Sequence, residues 1–198
     1  MKRAIVLIAG IFCIMPYVLA AQPASENLIK NGDFEKFKGD NPVDWETSNI
    51  PGSLTVVSPE RIAHGGRRAV RCEVKDFYGT KIAGYVCQKN IRLTGRNLRL
   101  SGYYIMNSVG KDAGVVIVCF VSAGGATLGT SEEYFRGSKK DFVHFSKTME
   151  APADAATCQV RLTILNEAED GALHVGSYAI LDDLELSVFA PKPAPVAQ

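Results

Sequence analysis

From residue 53 onward the chain alternates apolar and polar side chains in short runs broken by Gly, Asn, Asp and Pro. That is the period of strands with one face on a core. Residues 69–75 set Val70, Cys72 and Val74 against Arg71, Glu73 and Lys75. Residues 98–106 direct Leu98, Leu100, Tyr104 and Met106 inward, with Arg99, Ser101, Tyr103 and Ile105 on the opposite face. Residues 141–150 put Val143, Phe145 and Met149 on one side, and residues 157–165 set Cys158, Val160, Leu162 and Ile164 against Gln159, Arg161 and Thr163. The run 113–121 is almost wholly apolar and reads as a central strand covered on both faces. Segments 53–58, 85–93 and 179–189 complete the set, whereas 129–140 reads as a polar loop. No stretch sustains a 3.6-residue period. Eight or more strands at this spacing predict an all-β fold, an antiparallel β-sandwich of jelly-roll type.

The first twenty residues break the pattern. Lys2 and Arg3 precede an uncharged run from Ala4 to Ala20, and Val18-Leu19-Ala20 supplies small residues for peptidase cleavage. Residues 1–20 are therefore expected to be a signal peptide, 21–189 the sandwich domain, and 190–198 a Pro-rich tail. Export places the protein outside the cytoplasm, secreted or periplasmic, with no membrane span in the mature chain. The 198 residues carry 22 basic and 21 acidic side chains, so no global field attracts nucleic acid, and none is expected as a partner.

Without Cys13, which lies in the signal segment, four cysteines remain: Cys72, Cys87, Cys119 and Cys158. An even number in an exported chain predicts disulfides, with three pairings open; Cys72–Cys87 would close a local hairpin, and Cys119–Cys158 would staple strands distant in sequence.

No catalytic constellation is visible. His64, His144 and His174 are isolated, and neither a G-x-S-x-G elbow nor a phosphate-cradling glycine loop is present. Glu132-Glu133 and Asp182-Asp183 are adjacent pairs, which a strand turns to opposite faces, whereas a glycosidase needs two carboxylates facing each other across a cleft. The sequence thus reads as non-catalytic.

Three segments carry a resemblance. Asn27-Leu28-Ile29-Lys30-Asn31-Gly32-Asp33-Phe34-Glu35 opens the domain, Gly66-Arg67-Arg68-Ala69 forms a turn entering a strand, and Ile180-Leu181-Asp182-Asp183-Leu184 closes the domain. In this order they resemble carbohydrate-binding modules of the family 4/9/22 type, with the galactose-binding-like jelly roll. The resemblance implies a poly- or oligosaccharide ligand and a structural calcium where the first and last strands meet the Gly-Arg turn. Carried over, Glu35 and Asp182 would supply side-chain oxygens, Gly32 or Asp33 and Arg67 would supply carbonyls, and Asp183 is a further candidate. It also implies a buried Trp45. Sugar recognition needs flat aromatic faces and planar polar groups; the candidates are Tyr78, Tyr85, Tyr103, Tyr134 and Phe135, with Gln88 and Arg161 as hydrogen-bonding partners. The alternative is a structural or adhesion sandwich that binds another exported protein or a cell surface.

Overall fold

Alternating side chains become two stacked antiparallel sheets in the computed structural model, which describes residues 26–169 and 171–189. The expected signal peptide, with Cys13, and the tail 190–198 lie outside the described residues. The strands are β1 (Phe37–Lys38), β2 (Asn41–Pro42), β3 (Glu46–Thr47), β4 (Val57–Glu60), β5 (Ala69–Phe77), β6 (Thr80–Ala83) and β7 (Val86–Arg92). They continue with β8 (Asn97–Asn107), β9 (Asp112–Ser122), β10 (Thr127–Phe135), β11 (Lys139–Glu150), β12 (Ala155–Asn166) and β13 (Tyr178–Val188). One sheet runs β10-β9-β12-β7-β3; the other runs β11-β8-β13-β5-β4, with β6 paired to β5. No helix occurs among the described residues.

Within β5, β8 and β12 the core positions are those the alternation selects. Val116, Val118 and Phe120 of β9 and Val160, Leu162 and Ile164 of β12 meet Val70, Leu98, Leu100, Met106 and Leu181 of the facing sheet. Each large side chain buried this way contributes about 1.5–3 kcal/mol. Trp45 is buried as the resemblance implied, its indole N–H shared between the carbonyls of Lys30 and Asn31.

The opening motif acts as a missing strand segment along β13. Leu28 N donates to Leu186 O, Leu184 N donates to Gly32 O, and the Asn27 side chain bridges the bulge by donating to Leu184 O and accepting from Leu186 N. A Cβ on Gly32 would lie 2.1 Å from Leu184 O, so only glycine permits this approach. Asn31, with φ of 49°, turns the chain, its amide group holding Lys36 and Val43.

Two expectations are corrected. Residues 129–140 are not a loop, because β10 occupies most of them as the edge of the five-stranded sheet. Its core-side position Glu133 lies at the rim, 3.5 Å from Lys147 of β11 in the other sheet's edge strand. An inward-pointing charge of this kind blunts a sheet edge, and it hides the strand from hydrophobic patterning.

The disulfide expectation also fails, since all four cysteines are thiols. Cys72 faces the core from β5, while Cys87 lies on the outer side of β7, where it is in register with Arg161. Cys119 is in register with Gln159 on the outer face, whereas its neighbour Cys158 points inward. A disulfide needs two Cβ atoms about 4 Å apart and pointing at each other. Cys87 and Cys119 share a face, but β12 runs between their strands, and Cys72 and Cys158 stay unbonded in the core. Burial pushes both core thiols up to a pKa of about 12.

Candidate functional site

The outer face of the five-stranded sheet is laid out by register. One row crosses all five strands as Glu132, Ile117, Arg161, Cys87 and Glu46. The adjacent row holds Tyr134, Val115 and Thr163. On the other side of Arg161 come Thr130, Cys119 and Gln159. Tyr85, just before β7, joins this face because the Arg161 guanidinium lies 4.6 Å from its ring centre. Its backbone is fixed by Ser48, whose hydroxyl accepts from Tyr85 N. Past Gln159 a shallow groove of about 300 Å³ runs between Thr127, Thr157, Lys89 and Asn90. Beyond Lys89 and Asn90 a recess of about 550 Å³ opens toward Lys30, Asp44 and Arg92.

The charges on this face are mostly committed. Tyr134 donates to Glu132 at 2.7 Å, and this bond raises the phenol's pKa. Lys89 pairs with Glu46 at 2.6 Å. Arg136 lies 4.7 Å over the Tyr134 ring and forks onto both oxygens of Glu167 at 2.7–3.1 Å. Arg161 is on an exposed position, and no carboxylate stands within ion-pair distance of it among the described residues.

A second polar cluster forms where both ends of the domain grip one turn. Asp182, fully buried, accepts from His64 N at 2.7 Å and Gly65 N at 3.0 Å. Glu35 accepts from Arg67 N at 2.6 Å and Arg68 N at 2.9 Å, and these two bonds lower its pKa. Gly66, with φ of +64°, lies between them, and a Cβ there would strike the Glu35 carboxylate. Burial pushes the Asp182 carboxyl up to about 6, and the amides of Gly65, Asp183 and His64, which pull it down, offset only part of that rise. The His64 ring stacks on Tyr103 with centroids 3.4 Å apart, while its Nδ1 meets Asp183 at 2.7 Å. Among the described residues no three Asp, Glu, His or Cys side chains gather as a metal set.

The candidates are therefore divided. Tyr85, Tyr134 and Arg161 meet on one face. Tyr78 stands 93% exposed at the β5–β6 turn, its ring against the edge of Phe77. Tyr103 belongs to the other sheet, under His64. Phe135 is in the core, stacked on Tyr104 at 4.0 Å. Gln88 is buried at the β7 bulge, where it clamps the backbone of Lys30 through both amide atoms. Neither Phe135 nor Gln88 is available to a ligand. Glu35 and Asp182 do converge on the Gly-Arg turn; Asp33 is exposed, Arg67 presents its N–H to Glu35, and Asp183 is engaged by His64. Gln159, Thr163, Glu132 and Lys89 are not among the binding candidates the sequence offers, although alternation in 157–165 already places Gln159 and Thr163 beside Arg161.

No protein-family model matches the chain, and no curated protein matches it in sequence. Among solved structures it is similar to the enzymatically active domain of tailspike protein 4 from bacteriophage CBA120, with a TM-score of 0.58 and 14% identity, over 82% of this chain and 21% of that one. It is similar to the module TmCBM61, solved in complex with β-1,4-galactotriose, with a TM-score of 0.55 and 14% identity, over 83% of this chain and 100% of that one. The arabinose-bound α-L-arabinofuranosidase MgGH51 gives a TM-score of 0.55 and 13% identity, over 81% of this chain and 26% of that one. The chain thus spans about a fifth of the tailspike chain, about a quarter of the arabinofuranosidase and the whole of TmCBM61. At these identities the likeness shows the fold alone, an antiparallel jelly-roll β-sandwich. Among the described residues no helix is long and apolar enough to cross a membrane.

Proposed function

We propose that the protein is a secreted, non-catalytic carbohydrate-binding module of the family 4/9/22 type, holding a poly- or oligosaccharide against the outer face of the five-stranded sheet. The observation that carries this is the convergence of Tyr85, Tyr134 and Arg161 on one open face that continues into the groove at Lys89 and Asn90. Gln159, Thr163 and Glu132 add donors and acceptors at strand spacing, the arrangement a chain of hydroxyls requires. The similar fold of a module solved with a galactotriose supports the ligand class.

A structural Ca²⁺ is the second part of the proposal. Its support is Asp182, a buried carboxylate with no Lys, Arg or His side chain within ion-pair distance among the described residues, sharing a turn with Glu35. Glu35 and Asp182 would hold the ion together with the carbonyls of Gly32 or Asp33 and of Arg67. A hard cation there supplies charge neutralisation and a cross-link between the two ends of the domain.

The test is affinity electrophoresis against a panel of soluble polysaccharides. At least one is expected to retard the protein. Tyr85→Ala should weaken that retardation at least tenfold, whereas Tyr103→Ala, on the other sheet, should leave it unchanged. Absence of retardation by any glycan, or equal losses in the two variants, would overturn the assignment.

A further inference from the structure

Among the described residues three arginines lie over tyrosine rings, and comparing them separates one from the others. Arg71 lies 3.7 Å from the Tyr178 centroid and is closed by Glu60 at 3.5 Å and Glu73 at 3.4 Å. Arg136 lies over Tyr134 and is closed bidentately by Glu167. Arg161 lies over Tyr85 and has no carboxylate. Arg68 and Arg99 approach phenylalanine rings only at 5.9 and 5.4 Å, away from this face. The row through Arg161 has an acid at each end, yet neither reaches it. Glu132 is beyond Ile117 and held by Tyr134, and Glu46 is beyond Cys87 and held by Lys89. Cys87 is opposite Arg161 in register, and the Tyr85 ring centre lies 4.6 Å from the guanidinium carbon. The head group is thus oriented at the centre of an open face without its usual counter-ion.

We infer, resting on the carbohydrate-binding reading above, that the saccharide recognised by this face is acidic, a uronate-bearing chain whose carboxylate is taken by the Arg161 guanidinium. A planar carboxylate matches the guanidinium fork with two parallel hydrogen bonds, the arrangement Glu167 makes with Arg136 in this same molecule. The Tyr85 ring then serves first to orient the cation and only at its uncovered edge to touch sugar. With 22 basic and 21 acidic residues in the chain, a preference for a polyanion must come from this local feature and not from the overall field. The neighbouring recess carries Lys30 and Arg92 beside Glu26 and Asp44, so its charges are mixed and it adds no comparable anion site.

Calorimetric titration should compare sodium polygalacturonate oligomers, neutral β-1,4-galactan oligomers and dextran sulfate at fixed ionic strength. The uronate oligomers should bind at least tenfold more tightly than either of the others. Arg161→Met should abolish that preference, and Arg161→Lys should lose most of it, because an ammonium keeps the charge but not the fork. Neutral galactan binding as tightly as the uronate would overturn the acidic-ligand inference while leaving the binding module standing. Dextran sulfate binding as tightly, with Arg161→Lys unimpaired, would replace carboxylate recognition by simple charge attraction and also overturn it. If no glycan binds at all, the parent reading falls as well. Unchanged melting of both variants confirms that the fold is not the variable.

Discussion

On the outer face of the six-stranded sheet, polar groups are closed among themselves. His64 lies flat on Tyr103, Asp182 is buried under the amides of His64 and Gly65, and Arg71 is sandwiched between Tyr178 and two glutamates. Beneath them Ala69, Ile105 and Ile180 form a small apolar cluster covered by Ala63, Phe142 and Tyr178. The outer face of the five-stranded sheet uses the same residue types, which close over Val115 and Cys87 but leave Arg161 exposed. Its side chains lie in register across strands, its acids are held at the two ends of a row, and Arg161 stands between them. On the proposed reading, one fold separates two tasks. Groups that close the chain ends are dehydrated and locked by backbone donors. On the proposed binding face, Arg161 keeps its solvent and has no carboxylate partner among the described residues.

The largest break in that comparison comes from Asp182→Ala. It leaves the amides of His64, Gly65 and Asp183 without their acceptor in a buried site. The expected loss is about 3 kcal/mol, seen as a melting temperature lower by roughly 6–12 °C. Saccharide affinity of the folded protein should be unchanged, because the clasp belongs to the other sheet. The same melts with EDTA test the ion. At a hundredfold excess over Kd, Ca²⁺ would add about 2.7 kcal/mol, an increment absent from Asp182→Ala. An EDTA-insensitive wild type would reduce the clasp to carboxylates and amides alone. Loss of sugar binding in folded Asp182→Ala would overturn the division between the two faces.

Much of this architecture is readable from the chain. The inward and outward positions of residues 98–106 and 157–165 follow from alternation, and so does the outer location of Arg161. What stayed hidden depends on partners distant in sequence. Phe135 closes a strand whose positions 130–133 are Thr, Ser, Glu and Glu, so nothing local marks it as core; only its meeting with Tyr104 does. Gln88 alternates like a surface residue, but the β7 bulge and Lys30 convert it into a structural clamp. The cysteines suggested bonds by number and compartment, whereas bonding depends on facing, and facing is decided by register.

Those thiols offer a second, smaller test. Cys119 is partly exposed on the open face, while Cys72 and Cys158 are in the core with pKa values pushed up to about 12 by burial. Native protein should therefore label first at Cys119, with Cys72 and Cys158 inert until unfolding, since the thiolate is the reactive form. A bound saccharide should slow the Cys119 reaction several-fold. Mass spectrometry after unfolding without reductant should count all four; two fewer would restore a disulfide. Equal Cys119 labelling with and without a ligand known to bind would place that ligand elsewhere.

The smallest effect sharpens the open face itself. Tyr134 with Arg136 repeats the arrangement of Tyr85 with Arg161, except that Glu167 completes the fork. Glu167→Gln keeps a hydrogen-bonding amide but removes the counter-charge. Because this pair is at the surface, stability should change little, with melting within roughly 2 °C of wild type. The second guanidinium then resembles the first, a cation supported by a tyrosine without a carboxylate of its own. If an unsatisfied guanidinium recognises the acidic saccharide, uronate oligomers should bind Glu167→Gln two- to threefold more tightly, and neutral oligomers should not respond. The gain is modest because Arg136 is at the end of β10 and not in the middle of the row, so a chain centred on Arg161 meets it only at its edge. A weaker uronate interaction in Glu167→Gln would show instead that the closed pair, as a rigid unit, is what the ligand contacts. The contrast between open and closed arginines would then lose its meaning for recognition.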